Sequence, residues 1–194
     1  MKVLLLHGWG GSDFPHWQSW LASEIAKDYG CVSFLKFSDV DFPDFNVWQD
    51  ELQKHLEEFK PDIVLCHSLA NILWFHLCNN SKIKNSVKKL YLVAPPSLSC
   101  DIEELKSFYP VKVPKNLYAD KVLLITSTND KYLTQDEAKE LQNSLGVEME
   151  VLKDAGHINS DSGYGEWDWI LNHIKVQGVY YGSSTRKNNF HFTI

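Results

Sequence analysis

The chain has little of what would mark it as a metal, membrane or nucleic-acid protein. Its four cysteines in 194 residues, Cys31, Cys66, Cys78 and Cys100, are widely scattered. They show neither the paired short spacings of a zinc site nor the density of a disulfide scaffold, so free, buried thiols are expected. No apolar run approaches the ~20 residues of a membrane helix. The run Val3-Leu4-Leu5-Leu6 is too short for a signal-peptide core and no cleavage site follows it, which points to a reducing cytoplasm. Positive charge is scarce as well: the formal net charge is -6, which argues against nucleic acid or an anionic membrane as a partner. The one noticeable basic cluster, Lys82, Lys84, Lys88 and Lys89, reads as a solvated face. Also absent are a phosphate-binding glycine loop and a helix-spaced histidine pair, so no nucleotide, flavin or metal cofactor is expected.

What is present suits one domain with a core of its own, since 44% of the residues are hydrophobic and 13% aromatic. Val3 to Leu6 reads as a strand buried on both faces, stopped by the glycine loop His7-Gly8-Trp9-Gly10-Gly11. Apolar residues then recur at helical spacing from Trp17 to Ala26, with Gly30 closing the helix. Cys31 to Phe37 is a second strand. Asn46 is the expected cap of a helix that Pro61 ends, and Ile63-Val64-Leu65 is a third strand. Leu69 to Leu77 forms the next helix. Lys89 to Ala94, Lys121 to Thr126 and Glu148 to Leu152 are three more strands, with helices over Thr134 to Leu145 and Trp167 to Ile174. This alternation predicts a mostly parallel sheet of about six strands, with helices on both faces. The domain is expected over 1–177, with 178–194 an irregular C-terminal extension. Residues 95–120 hold little periodicity beyond a short helix around Ile102 to Phe108, and read as a substrate-shaping excursion or a long loop.

The chemistry concentrates at Cys66-His67-Ser68-Leu69-Ala70, where a strand turns into a helix. The usual spelling of such a corner is G-x-S-x-G, with small residues either side of a strained serine. Both glycines are missing here, but cysteine and alanine are nearly as small. In an open parallel sheet the loops after the strand C-termini meet at one edge. Ser68, Asp130 and His157 each follow such a strand end, in the order serine, aspartate, histidine of an α/β hydrolase. A serine hydroxyl needs a base, His157, and the base needs an acid, Asp130, to fix its tautomer. The oxyanion needs backbone donors, for which the N–H groups of Trp9 and Leu69 are the candidates.

Other residues compete for parts of this. Asp154, on the histidine's own loop, is the rival acid. Cys66 falls at the buried position of the corner rather than at its tip. His67 is expected to pack rather than react, His7 to line the mouth, and His16 to line it or lie on the surface. Asp13, Asp39 and Asp41 would supply an acidic lining if they gather near Ser68.

The segments His7-Gly8-Trp9-Gly10-Gly11-Ser12, His16-Trp17, Cys66-His67-Ser68-Leu69-Ala70, Asn129-Asp130 and Gly156-His157-Ile158-Asn159 together resemble the small lidless serine hydrolases of the α/β-hydrolase superfamily. That subfamily includes the retinoblastoma-binding serine hydrolase and the bacterial YdeN-type esterases. Ser162-Gly163-Tyr164-Gly165-Glu166-Trp167 strengthens the bacterial side. The resemblance runs from Lys2 to Ile174. It implies an α/β-hydrolase-like three-layer sandwich with no separate cap domain, with Ser68 as nucleophile, Asp130 as acid and His157 as base.

Three functions follow as expectations. The first is a serine hydrolase that cleaves a small carboxylic ester or related acyl substrate through an acyl-enzyme. The second is an amide or aminoacyl hydrolase with the same triad, which an acidic mouth would favour. The third is a binding protein on the same fold that has lost turnover and uses its aromatic loops, although no protein partner is indicated.

Overall fold

A computed structural model describes residues 1–27 and 30–176 of the chain. Six parallel strands form one sheet in the order β2-β1-β3-β4-β5-β6. They are β1 Lys2–Leu6, β2 Cys31–Leu35, β3 Ile63–His67, β4 Val87–Val93, β5 Ala119–Ser127 and β6 Glu148–Leu152. The helices are α1 Trp17–Lys27, α2 Phe45–Phe59, α3 Leu69–Asn79, α4 Gln135–Leu145 and α5 Asp168–Val176. The expected three-layer α/β architecture is therefore what the chain adopts, with the sheet wholly parallel.

The continuous apolar runs of the central strands follow from burial on both faces. Leu4, Leu6, Val64, Cys66, Leu90, Leu92 and Leu124 enter the cluster that holds Leu52 of α2, Leu73 of α3 and Leu141 of α4. Their neighbours Val3, Leu5, Ile63, Leu65, Tyr91, Val93 and Ile125 face the other way, onto Leu21 of α1 and Ile170 of α5. The period of two along each strand thus feeds two separate cores. The basic cluster is a solvated face, where Lys84 pairs with Glu57 at 2.7 Å and Lys88 with Asp62 at 2.8 Å.

Several boundaries shift by one or two residues from the sequence reading, and three differences have a direct cause or consequence. The cap of α2 is Asp44, whose carboxylate accepts from the N–H groups of Asn46 and Val47. The helix starts one residue before Asn46 because Asp44 satisfies its first free donors. Strand β2 stops at Leu35, since Phe37 leaves the ladder to donate its N–H to His7. The short helix of the 95–120 excursion is a 3₁₀ turn, Glu103–Phe108. Among the described residues, no helix is long and apolar enough to cross a membrane. The 178–194 extension lies outside the described residues.

Strand order reverses between β1 and β3. The chain leaves β1 toward one edge and β3 toward the other, which opens a crevice at their C-terminal ends. The glycine loop after β1 and the serine corner after β3 border that crevice.

Candidate active site

The corner is built from Ser68, which caps α3 with φ 53° and ψ -124°. A non-glycine residue in that region is strained and persists only where its surroundings impose it. Ser68 N–H donates to Val93 O at 3.0 Å, which extends the β3–β4 ladder to the corner. Asn71, one turn into α3, donates its amide to both Ser68 O and Val93 O, at 2.8 and 3.0 Å. Cys66 and Ala70 are fully buried and fit. Burial pushes the Cys66 thiol well up, so it stays protonated and is no nucleophile.

The close approach that glycine usually serves at this corner lies instead on the facing loop. A Cβ on Gly8 would sit 2.6 Å from Ser68 Cβ, 3.0 Å from Leu69 N and 3.1 Å from His67 O. The loop therefore lies directly against the corner. Among the described residues, neither Trp9 N–H nor Leu69 N–H meets an acceptor.

Ser68 Oγ lies 2.9 Å from His157 Nε2, and His157 Nδ1 lies 2.8 and 3.0 Å from the two oxygens of Asp130. A carboxylate only accepts, so Nδ1 carries the ring proton and Nε2 is free to accept from the serine hydroxyl. The Asp130 side chain is 2% exposed, and Tyr132 N–H donates to it at 2.9 Å. The Tyr132 ring crosses the His157 ring edge-on, with centroids 4.6 Å apart.

The histidine loop is clamped to the acid's loop. Asn129 Oδ1 accepts from Gly156 N–H at 2.7 Å and Ser127 Oγ accepts from Ala155 N–H at 2.9 Å. On its far side, His157 N–H donates to Ser162 Oγ, which itself donates to Asn159. The rival acid Asp154 is exposed and turned to Thr128, which takes its N–H at 2.8 Å.

One histidine expectation is corrected, and the one left open between two places is resolved. His7 does not line the mouth. It accepts from Phe37 N–H through Nε2 and donates from Nδ1 to Gly8 O at 2.8 Å, buried edge-on against the stacked rings of Phe37 and Trp48. Its role is to hold the glycine loop. His16 is not on the surface but 4% exposed, in the wall of a cavity that reaches Ser68. His67 packs as expected, and its Nε2 donates to the His157 carbonyl at 3.1 Å.

Burial keeps these three histidines neutral: His7 is lowered, His67 well lowered, and His16 brought to about 4. The unfolded chain takes up protons near pH 6.5 that the folded chain refuses, so stability rises with pH across that interval. Thermal melts should therefore show Tm falling steadily as pH drops from about 6.5 toward 4. A flat Tm between pH 7 and 4.5 would contradict this.

Two cavities meet at Ser68 and His157. One, of about 500 Å³, is walled by Phe42, Leu69, Cys100, Ile102, Leu105 and Tyr132, so the excursion after β4 does shape the site. The other, of about 390 Å³, is walled by Ser12, Asp13, Phe14, His16, Ser160 and Asp161. Trp9 belongs to both and is fixed by its indole N–H, which donates to Asp41 O at 2.9 Å. Of the three acids expected near the mouth, Asp13 and Asp41 line these cavities and Asp39 does not, while Glu104 and Asp161 join them. The sequence did not single those two out, because their approach to Ser68 depends on how two separate loops fold over it.

The sequence matches the family described as Serine hydrolase over residues 3–176. No curated protein matches it. Among solved structures it is similar to the ydeN gene product of B. subtilis, with 18% identity and TM-score 0.80, over 90% of this chain and 97% of that one. It is also similar to a YdeN-like hydrolase of Pectobacterium atrosepticum, with 22% identity and TM-score 0.69, over 89% and 88% of the two chains. A third, the esterase domain of a Rhodothermus marinus protein, shares 13% identity and TM-score 0.63 over 91% and 85%.

Proposed function

The chain belongs to the Serine hydrolase family, and from that premise we propose that it cleaves a small carboxylic ester through an acyl-enzyme on Ser68. The observation that carries this reading is the unbroken chain Asp130–His157–Ser68, with links of 2.8 and 2.9 Å, at the meeting of two cavities.

Ser68 Oγ attacks the ester carbonyl carbon while its proton passes to His157 Nε2. The carbonyl oxygen becomes an oxyanion, which the N–H groups of Trp9 and Leu69 receive. Asp130 stabilises the imidazolium and keeps its orientation. The carbon–oxygen bond to the leaving group then breaks, and the alkoxide takes the proton from His157 Nε2. Water repeats the sequence on the acyl-enzyme and frees the acid. The apolar wall of the larger cavity supports an acyl group without charge, and the esterase domain among the similar structures agrees with this chemistry.

A second reading, hydrolysis of an amide with a free amine, is favoured by the carboxylates of Asp41, Glu104 and Asp161 around the mouth. A panel of 4-nitrophenyl acetate and butanoate against aminoacyl 4-nitroanilides separates the two. The esters should react with kcat/KM at least tenfold higher, and Ser68→Ala should fall to background on all of them. A preference for the amine-bearing amides would replace the first reading by the second.

A further inference from the structure

Asn71 is fully buried near the start of α3, and its side chain reaches back to the strained corner. Resting on the proposed acyl-enzyme reading, we infer that Asn71 is a positioning residue for the oxyanion donor Leu69 N–H, which it aims through the plane of the Ser68–Leu69 peptide.

The NH₂ group of Asn71 carries two protons and donates one to each of two carbonyls, Ser68 O at 2.8 Å and Val93 O at 3.0 Å. Both partners only accept, so the amide cannot be turned the other way round. Val93 ends β4 and is paired with His67 of β3 and Ile125 of β5, which places it in the middle of the sheet. The side chain therefore ties the Ser68 carbonyl to the sheet.

That tie is not needed to satisfy either carbonyl. Ser68 O also accepts from the backbone N–H of Asn71 at 3.0 Å, and Val93 O also accepts from Ser68 N–H at 3.0 Å. The amide meanwhile leaves its own Oδ1 buried without a partner among the described residues. A buried acceptor without a donor is costly, and an apolar side chain at 71 would not incur that cost. Stability thus gives no account of the amide, whereas its effect on direction does.

Ser68 O and Leu69 N–H belong to one peptide unit, which is planar and trans. In such a unit the C=O and N–H bonds point in opposite directions, so fixing one fixes the other. A single bond from Asn71 N–H lets the plane pivot about it. The second donor, anchored on Val93, removes that freedom. Leu69 N is thereby held toward the facing glycine loop, where a Cβ on Gly8 would lie 3.0 Å from it. There it meets no acceptor among the described residues, and an oxyanion formed on Ser68 supplies one. Asn71 thus acts on the transition state without touching it.

The test uses Asn71→Leu, which keeps the branched shape without the donors, and Asn71→Ala, which removes the side chain. Neither leaves a backbone carbonyl unpaired, so both should fold. On 4-nitrophenyl butanoate, kcat per active site titrated with fluorophosphonate should be at least tenfold lower, short of the roughly 10²–10³-fold cost of deleting an oxyanion donor outright. KM should stay within about twofold, because both tetrahedral steps use the same donors and slow together. The pH midpoint of kcat/KM should not move, since the amide touches neither His157 nor Asp130. The rate constant of fluorophosphonate addition should fall in parallel, because the phosphoryl oxygen meets the same N–H groups. A kcat per site within about twofold of wild type, with or without a raised KM, would overturn the proposal. Failure of both variants to fold would overturn it too, by making the amide structural. So would a moved pH midpoint, which places the loss in the acid–base pair. Failure of the esterase reading is distinct: wild-type enzyme would turn over no ester, while the labelling rates would still decide the role of Asn71.

Discussion

Gly8→Ala should cost at least a hundredfold in esterase turnover while the fold remains. The added methyl group has no room: it meets Ser68 Cβ at 2.6 Å, and Leu69 N and His67 O at 3.0 and 3.1 Å. All three neighbours belong to the corner itself, and two are backbone atoms that cannot rotate away. Either the glycine loop retreats, taking Trp9 N–H out of reach of the oxyanion, or Ser68 is displaced from its position 2.9 Å from His157. Misplacing a reacting group by about 1 Å costs on the order of 10²-fold. Crowding of this kind also destabilises by about 1–3 kcal/mol, which should appear as a lower Tm with unchanged circular dichroism. Near-wild-type turnover of the variant would show that the loop and the corner do not work as one unit.

Asp130→Asn should reduce kcat by about 10⁴. Asparagine can still accept from Tyr132 N–H through its amide oxygen, so the 2.9 Å contact that holds the loop survives. Its NH₂ group, turned to His157 Nδ1, donates where the carboxylate accepted. The ring proton is then driven to Nε2, and His157 can no longer take a proton from Ser68. Asp154→Asn should leave turnover within about twofold, since Asp154 is exposed and bonded to Thr128. The comparison uses active-site-titrated enzyme, to separate rate from folded fraction. If Asp154→Asn is the damaging change and Asp130→Asn is benign, the acid has been misassigned.

The strands and the three separated residues were legible because each rests on a local signal. Apolar runs mark the buried strands β3 and β5, beyond which Ser68 and Asp130 lie, while His157 follows β6, a largely exposed edge strand. The parallel topology then gathers them without further information. The contacts that tune the corner were not legible, because they are long-range and made by backbone. That Gly8 rather than a glycine at 66 or 70 provides the close approach follows from how the loop after β1 folds over β3, which no spacing encodes. His7 and His16 look alike in sequence, flanking one glycine loop. One turns inward to hold Gly8 O, and the other enters the cavity wall. The clamps made by Asn71 and Asn129 were missed for the same reason: an asparagine after a strand or in a first helical turn reads as an ordinary turn or cap residue. The carboxylates of Glu104 and Asp161 reach the mouth from short 3₁₀ turns, and no spacing in the sequence encodes that these turns fold over Ser68.

The central claim is that Ser68 is an activated nucleophile in a site where the strain of the corner, the acid–base pair and the oxyanion donors act together. The most direct measurement is the site and rate of reaction with a fluorophosphonate, followed by intact mass and by tandem mass spectrometry of the labelled peptide. The account predicts stoichiometric addition on Ser68 within minutes at pH 7.5. Labelling should be absent in Ser68→Ala and at least a hundredfold slower in Asp130→Asn. An unlabelled wild type, or an adduct carried by any other residue, would contradict it.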